Sequence, residues 1–234
     1  MQGSFYPTYG SLPPRTPLPP ATHFSVDVEC VATGSDHNAR SVAQFALVDQ
    51  YENVLLNAYI KPDQPVVSYL TPLTGLTTEL IQTHGVSFQH GLHLLKSTLP
   101  PTAVLIGQNI GQDVQWLQLK EGKDFQAMLD LAGVYRTWNR QYNNWSVFGQ
   151  DHVARVLLNY PEAQTHDAVG DALKSIRLYN LSKQLQQEPA LWQQAQERLL
   201  ATPPEPSFAK KYPSYEGCCM GNRKTCVCGA PFLG

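Results

Sequence analysis

The chain has 234 residues, 42% of them hydrophobic, with 17 Lys and Arg against 19 Asp and Glu and a formal net charge of −2. It is long enough to bury one full-sized core, and the near-neutral balance excludes nucleic-acid binding by bulk charge, so any such site must be a local patch. No run of 18 apolar residues offers a membrane helix, and the N-terminus lacks the charged region and apolar core of a signal peptide; a soluble protein of the cytoplasm or nucleus, with no membrane partner, is expected.

Residues 1–22 are rich in Pro, Gly, Ser and Thr without hydrophobic periodicity and read as a flexible leader, with "LPPRTPLPP" open to a proline-recognition partner. "THFSVDVECVATG" follows. As a strand it sends Phe24, Val26, Val28 and Cys30 one way and Ser25, Asp27 and Glu29 the other. "RSVAQFALVD" and "VLLNAYIKP", separated by "QYEN", read as a hairpin, so three antiparallel strands lead. "TPLTGLTTELIQTHG" predicts a loop and a short helix closed by Gly85, and "SFQHGLHLLKSTL" a helix capped by Ser87. "TAVLIGQN" predicts a strand, "GQDVQWLQLKEG" a helix ended by Gly122, and Leu129 to Leu131 a buried strand. Helices are expected over "NWSVFGQDHVARVLLN", over "HDAVGDALKSIRLYNLSKQLQ", where Val169, Ala172, Leu173 and Ile176 keep helical spacing, and over "PALWQQAQERLL" behind Pro189. Strands first and strand–helix alternation after make an α/β pattern. Residues 23–200 form the expected domain, and 201–234 a tail in which "TPPEPSFAKKYPSYEG" is too rich in Pro for regular structure.

Asp27 and Glu29 on one strand face would stand roughly 6 to 7 Å apart along the chain. Like charges that close repel, and burial raises the cost. Either the face is a solvated edge or a hard divalent cation sits between oxygen ligands. Asp113, just after the "LIGQN" strand, and Asp171, one turn into a later helix, are further acids able to converge on that spot, and His166 stands five residues before Asp171.

With "DVE" at 27–29, Asp113 after "LIGQN", the His-x₄-Asp spacing of His166 and Asp171, and "LTGL" at 73–76, residues 22–183 resemble the DEDDh 3′–5′ exonucleases of the ribonuclease H-like fold. "YIKPDQPVVSYLTPLTGL" is most similar to the branch that contains RNA exonuclease 4 and the interferon-stimulated 20-kDa exonuclease. Two positions depart from that branch: Gly107-Gln108 stands where Gly-His is usual, and Cys30 where Met is usual. The resemblance implies a mixed sheet flanked by helices and hydrolysis of single-stranded RNA, or of DNA, to 5′-mononucleotides. It implies two Mg²⁺ or Mn²⁺ ions held by Asp27, Glu29, Asp113 and Asp171, and His166 as general base, a role its near-neutral unperturbed pKa suits. Thr74, Gly75, Leu76 and Asn109 would meet the substrate, with Leu76 on the terminal base.

Arg136 and Arg140, in "VYRTWNRQYNNW", combine cations with aromatic rings as single-strand binding surfaces do. In the tail, Cys218, Cys219, Cys226 and Cys228 are candidate ligands of a tetrahedral zinc ion, although Cys-Cys with Cys-x-Cys is not the usual CxxC pair; a reduced, redox-sensitive tail or a protein-docking platform is the alternative. A non-catalytic nucleic-acid-binding or scaffold module of the same fold has no physical need for four crowded acids.

Overall fold

The computed structural model describes residues 18–161 and 165–229; the part of the expected leader at 1–17 lies outside them. Strand β1 (His23–Ala32) pairs antiparallel with β2 (Arg40–Asp49), and β2 pairs antiparallel with β3 (Val54–Tyr59). The chain then makes a helical turn, α1 (Thr71–Thr74), and two helices, α2 (Thr78–His84) and α3 (Phe88–Thr98). Ser87 caps α3 by accepting from the His90 N–H at 3.3 Å, and α2 closes with the Gly85 N–H on the Ile81 carbonyl. Strand β4 (Val104–Gly107) returns parallel to β1, helix α4 (Ile110–Trp116) follows, and β5 (Ala127–Asp130) pairs parallel with β4. The sheet order β3-β2-β1-β4-β5 is the ribonuclease H-like arrangement, three antiparallel strands and then parallel ones.

Beyond the sheet come α5 (Leu131–Tyr135), a hairpin of β6 (Thr137–Asn139) and β7 (Asn144–Ser146), then α6 (Gln150–Leu158), α7 (Ala168–Leu185) and α8 (Pro189–Ala201). Two expectations shorten. The helix expected to reach Gly122 ends at Trp116, because the next turn is broken by Gln118 at φ 51°. The helix expected from Asn144 starts at Gln150, since Asn144–Ser146 pairs with β6 and places Trp138 opposite Trp145.

Period-two alternation sorts the sheet between two apolar layers. Phe24, Val26, Phe45, Leu47 and Leu105 point to α3 and α4, while Val48 and Ile106 point to α5, α6, α7 and α8. Each such fully buried side chain contributes about 1.5 to 3 kcal/mol. Val26 faces the first layer, so Asp27 and Glu29 face α7, which lies across β1 and β2. A register shift between Glu29 and Cys30 interrupts the pairing with β2 just past the two acids, before it resumes at Cys30 and Val42; such bulges re-aim side chains next to sites.

The described tail is more ordered than its proline content predicts. Ser207 caps a short helix, α9 (Phe208–Lys211), and β8 (Ser214–Tyr215) pairs with β9 (Cys218–Cys219). Cys218 is buried against Ala32 and Leu70, and Ser68 donates to the Glu216 carboxylate. Among the described residues no helix is long and apolar enough to cross a membrane.

Candidate active site

β1 and β4 run parallel, so their carboxyl ends meet at one edge, where open α/β sheets hold ligands. Asp113, in the first turn of α4 just beyond β4, accepts a hydrogen bond from the Val28 backbone N–H, which sets its carboxylate against β1 between Asp27 and Glu29. Asp171 comes from the opposite layer. Asp167 caps α7, accepting from the Val169 and Gly170 N–H groups at 3.1 and 3.0 Å, and Asp171 one turn on is 5% exposed. The Ala168 N–H, at the same helix end, donates to Gln44 of β2 at 3.4 Å, and Gln44 is the strand partner of Glu29. One chain of contacts thus holds the α7 N-terminus over the two β1 acids.

Crowding shows in the acid strengths. Burial, then the charges of Asp113, Asp171 and Glu29, holds Asp27 well above the ordinary carboxylate range. Burial and the Asp171 charge push Glu29 up to about 8, and burial raises Asp113 to about 7 against the pull of backbone N–H groups. Asp171 goes the other way. Burial alone would raise it, but the His166 hydrogen bond and the Lys174 ammonium outweigh that and lower it. His166 Nδ1 lies 2.8 Å from Asp171 Oδ2 and its Nε2 3.4 Å from Asp151 Oδ2, while Lys174 Nζ lies 2.5 Å from Asp171 Oδ1 and 2.6 Å from Asp151 Oδ1. The bond to Asp171 raises the His166 pKa although burial opposes it. Glu29, His166 and Asp171 can offer ligand atoms within 4.8 Å of one another. Three of the four acids resist ionisation as they stand, and the four together are a set of oxygen ligands that a hard divalent cation would complete.

Gln150 extends the cluster, donating to the Asp171 carbonyl at 2.9 Å and to Ser175 at 2.7 Å. Sequence reading missed Lys174, Asp151 and Gln150. Lys174 alone carried a signal, since it sits at i+3 from Asp171 on the same helix face.

The other expected substrate residues divide. Gly75 takes φ 69°, a left-handed conformation that suits glycine, and the preceding Leu73 carbonyl accepts from the His166 N–H at 2.6 Å, so the "LTGL" loop is tied to the His166 loop. Thr74 and Leu76 turn inward. Leu76 is 1% exposed and packs with Val31, Ala43 and Ile81, and Thr74 donates to the Tyr69 carbonyl at 2.9 Å. In this conformation Leu76 has no surface to offer a base, because the αL turn at Gly75 directs the chain into that apolar cluster. Asn109 is exposed at the head of α4, also left-handed, with its N–H on Asp130 Oδ1 at 2.9 Å. Arg136 follows α5 directly and lays its guanidinium 4.8 Å over the Trp145 ring of the β6–β7 hairpin; Arg140 is exposed in that hairpin's turn. In the tail, Cys219, Cys226 and Cys228 gather around His37, and Cys218 does not join them.

No family model matches the chain. Curated relatives do: RNA exonuclease 5 of Bos taurus is 25% identical over 182 residues, 75% of this chain and 21% of the relative. RNA exonuclease 4 of Candida glabrata is 24% identical over 163 residues, 69% of this chain and 60% of the relative. Small RNA degrading nuclease 3 of Arabidopsis thaliana is 24% identical over 157 residues, 65% of this chain and 19% of the relative. The chain therefore spans from about a fifth to three-fifths of the length of these relatives. Among solved structures, the Neurospora crassa Pan2 catalytic unit, comprising protease and nuclease domains, superposes with a TM-score of 0.63 at 19% identity, over 84% of this chain and 32% of the other. The Saccharomyces cerevisiae Pan2 module in complex with AAGGA RNA gives 0.62 at 16% identity, over 76% of this chain and 31% of that one. That likeness is one of fold. The chain is thus related in sequence, at 24 to 25% identity, to RNA exonucleases and shares a fold with the Pan2 catalytic unit.

Proposed function

We propose that the chain is a metal-dependent 3′–5′ exonuclease that hydrolyses single-stranded RNA to 5′-mononucleotides, working in the cytoplasm or nucleus, with residues 23–200 as its catalytic domain. The observation that carries this is the meeting of Asp27, Glu29, Asp113 and Asp171, from three separate elements, beside a histidine whose second ring nitrogen faces the cleft rim at Asp151. Asp27, Glu29, Asp113 and Asp171 would hold two Mg²⁺ or Mn²⁺ ions. When bound, such ions lower the pKa of water and neutralise charge on the attacking and leaving oxygens of a phosphodiester.

The chain's own groups do the rest. With Nδ1–H donating to Asp171, neutral His166 keeps its lone pair at Nε2 and can take a proton there from an attacking water. Asp171 fixes that tautomer and ring orientation, and Lys174, 7% exposed in its side chain, holds Asp171 ionised. Gly75 lets backbone approach the strand end, and its tie through Leu73 to His166 couples the seating of a 3′ end to the position of the base.

The test offers end-labelled single- and double-stranded RNA and DNA with Mg²⁺ or Mn²⁺. Stepwise release of mononucleotides from a free 3′-hydroxyl, fastest on single-stranded RNA and blocked by EDTA, is expected. Full activity in excess EDTA, or efficient cleavage of circular strands, would overturn the proposal; faster turnover of DNA would move the substrate and keep the chemistry.

A further inference from the structure

We propose that His37, Cys219, Cys226 and Cys228 form a structural zinc site that clamps the C-terminal tail onto the β1–β2 connection. His37 Nδ1 lies 3.2 Å from Cys228 Sγ, 3.9 Å from Cys226 Sγ and 4.0 Å from Cys219 Sγ. Cys226 Sγ lies 3.1 Å from both Cys219 Sγ and Cys228 Sγ, and all four ligand atoms fall within 4.8 Å of one another. Tetrahedral zinc, with Zn–S of about 2.3 Å and Zn–N of about 2.0 to 2.1 Å, needs S–S separations of about 3.8 Å and S–N separations of about 3.6 Å. The S–N distances of 3.2 to 4.0 Å bracket the second value, and the two S–S distances of 3.1 Å fall short of the first, so seating the ion asks the thiolates to spread by under about 1 Å.

A disulfide fits the cluster less well. Its S–S bond is about 2.05 Å, and three mutually close sulfurs cannot all pair. The donor set of three soft thiolates and an imidazole selects zinc over the hard cations that suit the carboxylate site.

The backbone places the ligands independently of any metal. The Cys219 N–H donates to the Ser35 carbonyl at 2.7 Å, and the Arg40 guanidinium donates to the Cys219 carbonyl at 2.7 Å, fixing β9 beside the loop that carries His37. The Gly221 N–H points at Cys219 Sγ at 3.3 Å, as donors do toward a thiolate, and the Asn222 turn brings Cys226 back with its N–H on the Asn222 carbonyl at 2.7 Å. Cys218 is excluded by strand alternation: it faces Ala32 and Leu70 in the interior, with its thiol toward the Glu216 carbonyl. The sequence suggested four cysteines as ligands; the fold substitutes a histidine 182 positions upstream of Cys219. The clamp has a consequence for the cleft. Pro204, Pro206 and Phe208, in the segment between α8 and β8, line one wall of the cleft that holds His166 and Asp151, so anchoring the chain end fixes that wall.

Full-length protein purified without added metal, and then analysed by mass spectrometry of its elements, should carry about one zinc per chain; replacement by Co²⁺ should give thiolate charge-transfer bands and the visible absorption of a tetrahedral centre. His37→Ala, Cys219→Ser and Cys226→Ser should each lose zinc at least tenfold more readily to a chelator, while Cys218→Ser and Asp27→Asn should retain it. Circular dichroism separates metal loss from unfolding, and the wild-type Co²⁺ spectrum reads the ligand set without any variant. No zinc and no tetrahedral Co²⁺ spectrum in the wild type would overturn the proposal, as would loss in Cys218→Ser with retention in His37→Ala. Because zinc content is read without nuclease activity, failure of the exonuclease proposal leaves this result standing.

Discussion

His166 sits between two carboxylates, with Nδ1 on Asp171 and Nε2 toward Asp151, and its protonated form is favoured by the first of them. A raised histidine pKa means that the folded protein holds the proton at a pH where a free imidazole has released it. The base is therefore inactive at low pH and gains its lone pair as pH climbs. With metal bound, kcat should rise with pH as the imidazole releases its proton. His166→Ala should lower kcat by about 10² to 10⁴-fold and abolish that limb, with His84, His90 and His93 as indifferent controls; an unchanged profile in the variant would remove His166 from the base role. Lys174 makes a second prediction. It is the buried cation beside Asp171, so Lys174→Met leaves that buried carboxylate with only its His166 bond to offset the charge, at a cost of about 3 kcal/mol, the low end for a broken buried pair because His166 remains and Asp151 stays half-exposed. Urea unfolding in EDTA should show that loss, and saturating Mg²⁺ should recover part of it. The four acids and His166 were legible because strand alternation and helix-start positions are local properties. Lys174 offered only its i+3 spacing from Asp171, and Asp151 offered nothing, since its place beside His166 and Lys174 exists only when α6 and α7 are side by side.

At the level of elements, β1 and the Gly75 turn set the site's shape. Strand alternation, the hairpin of β2 and β3, the Ser87 cap and the Pro189 start all express themselves within a few residues, and each appears where the chain's own pattern puts it. The elements that departed from expectation are those decided by distant partners: β7 pairs with β6 instead of extending α6, and Leu76 is drawn into the cluster of Val31, Ala43 and Ile81 instead of standing out for a base. Gly75 tests how far this loop governs the base. A Cβ there would meet the His166 carbonyl at only ordinary contact distance, 3.6 Å, so the cost of Gly75→Ala is conformational. Holding alanine at φ 69° costs about 1 to 2 kcal/mol. Because Leu73 bonds the His166 backbone, relaxing the turn should shift the base. The variant should melt as a folded protein with a modestly lower Tm and lose kcat/KM well beyond that loss of folded fraction. Wild-type kcat/KM in Gly75→Ala would show that the turn does not position His166.

For the molecule as a whole, the acid cluster is a store of instability in the absence of metal, and its pH dependence has a definite sign. Glu29 and Asp113 have folded-state pKa values raised to about 8 and about 7, with Asp27 raised as well. A raised carboxylate binds its proton more tightly in the folded than in the unfolded chain, so its stabilising contribution is complete below about pH 4, the unfolded value, and is lost as pH climbs through 7 to 8. The raised His166 acts in the same direction, while the lowered Asp171 and raised Lys174 change only at the acidic and alkaline extremes. In EDTA, Tm should therefore fall between about pH 5 and pH 9. Divalent cations bind the ionised acids of the folded state, so they reverse the trend, stabilising as RT ln(1 + [L]/Kd) with a Kd that tightens as protons leave. At a fixed concentration of a few Kd, the Tm gain from Mg²⁺ or Mn²⁺ should be small near pH 5.5 and several degrees near pH 8.5. Asp27→Asn, which removes a central charge without changing shape, should flatten the EDTA profile and shrink the metal-induced gain, and should reduce turnover to background. Differential scanning fluorimetry across pH with and without metal checks all of this on one plate. A metal-induced gain that is independent of pH, or one that Asp27→Asn leaves intact, would place the cations away from this cluster and leave its four crowded acids without a physical cause.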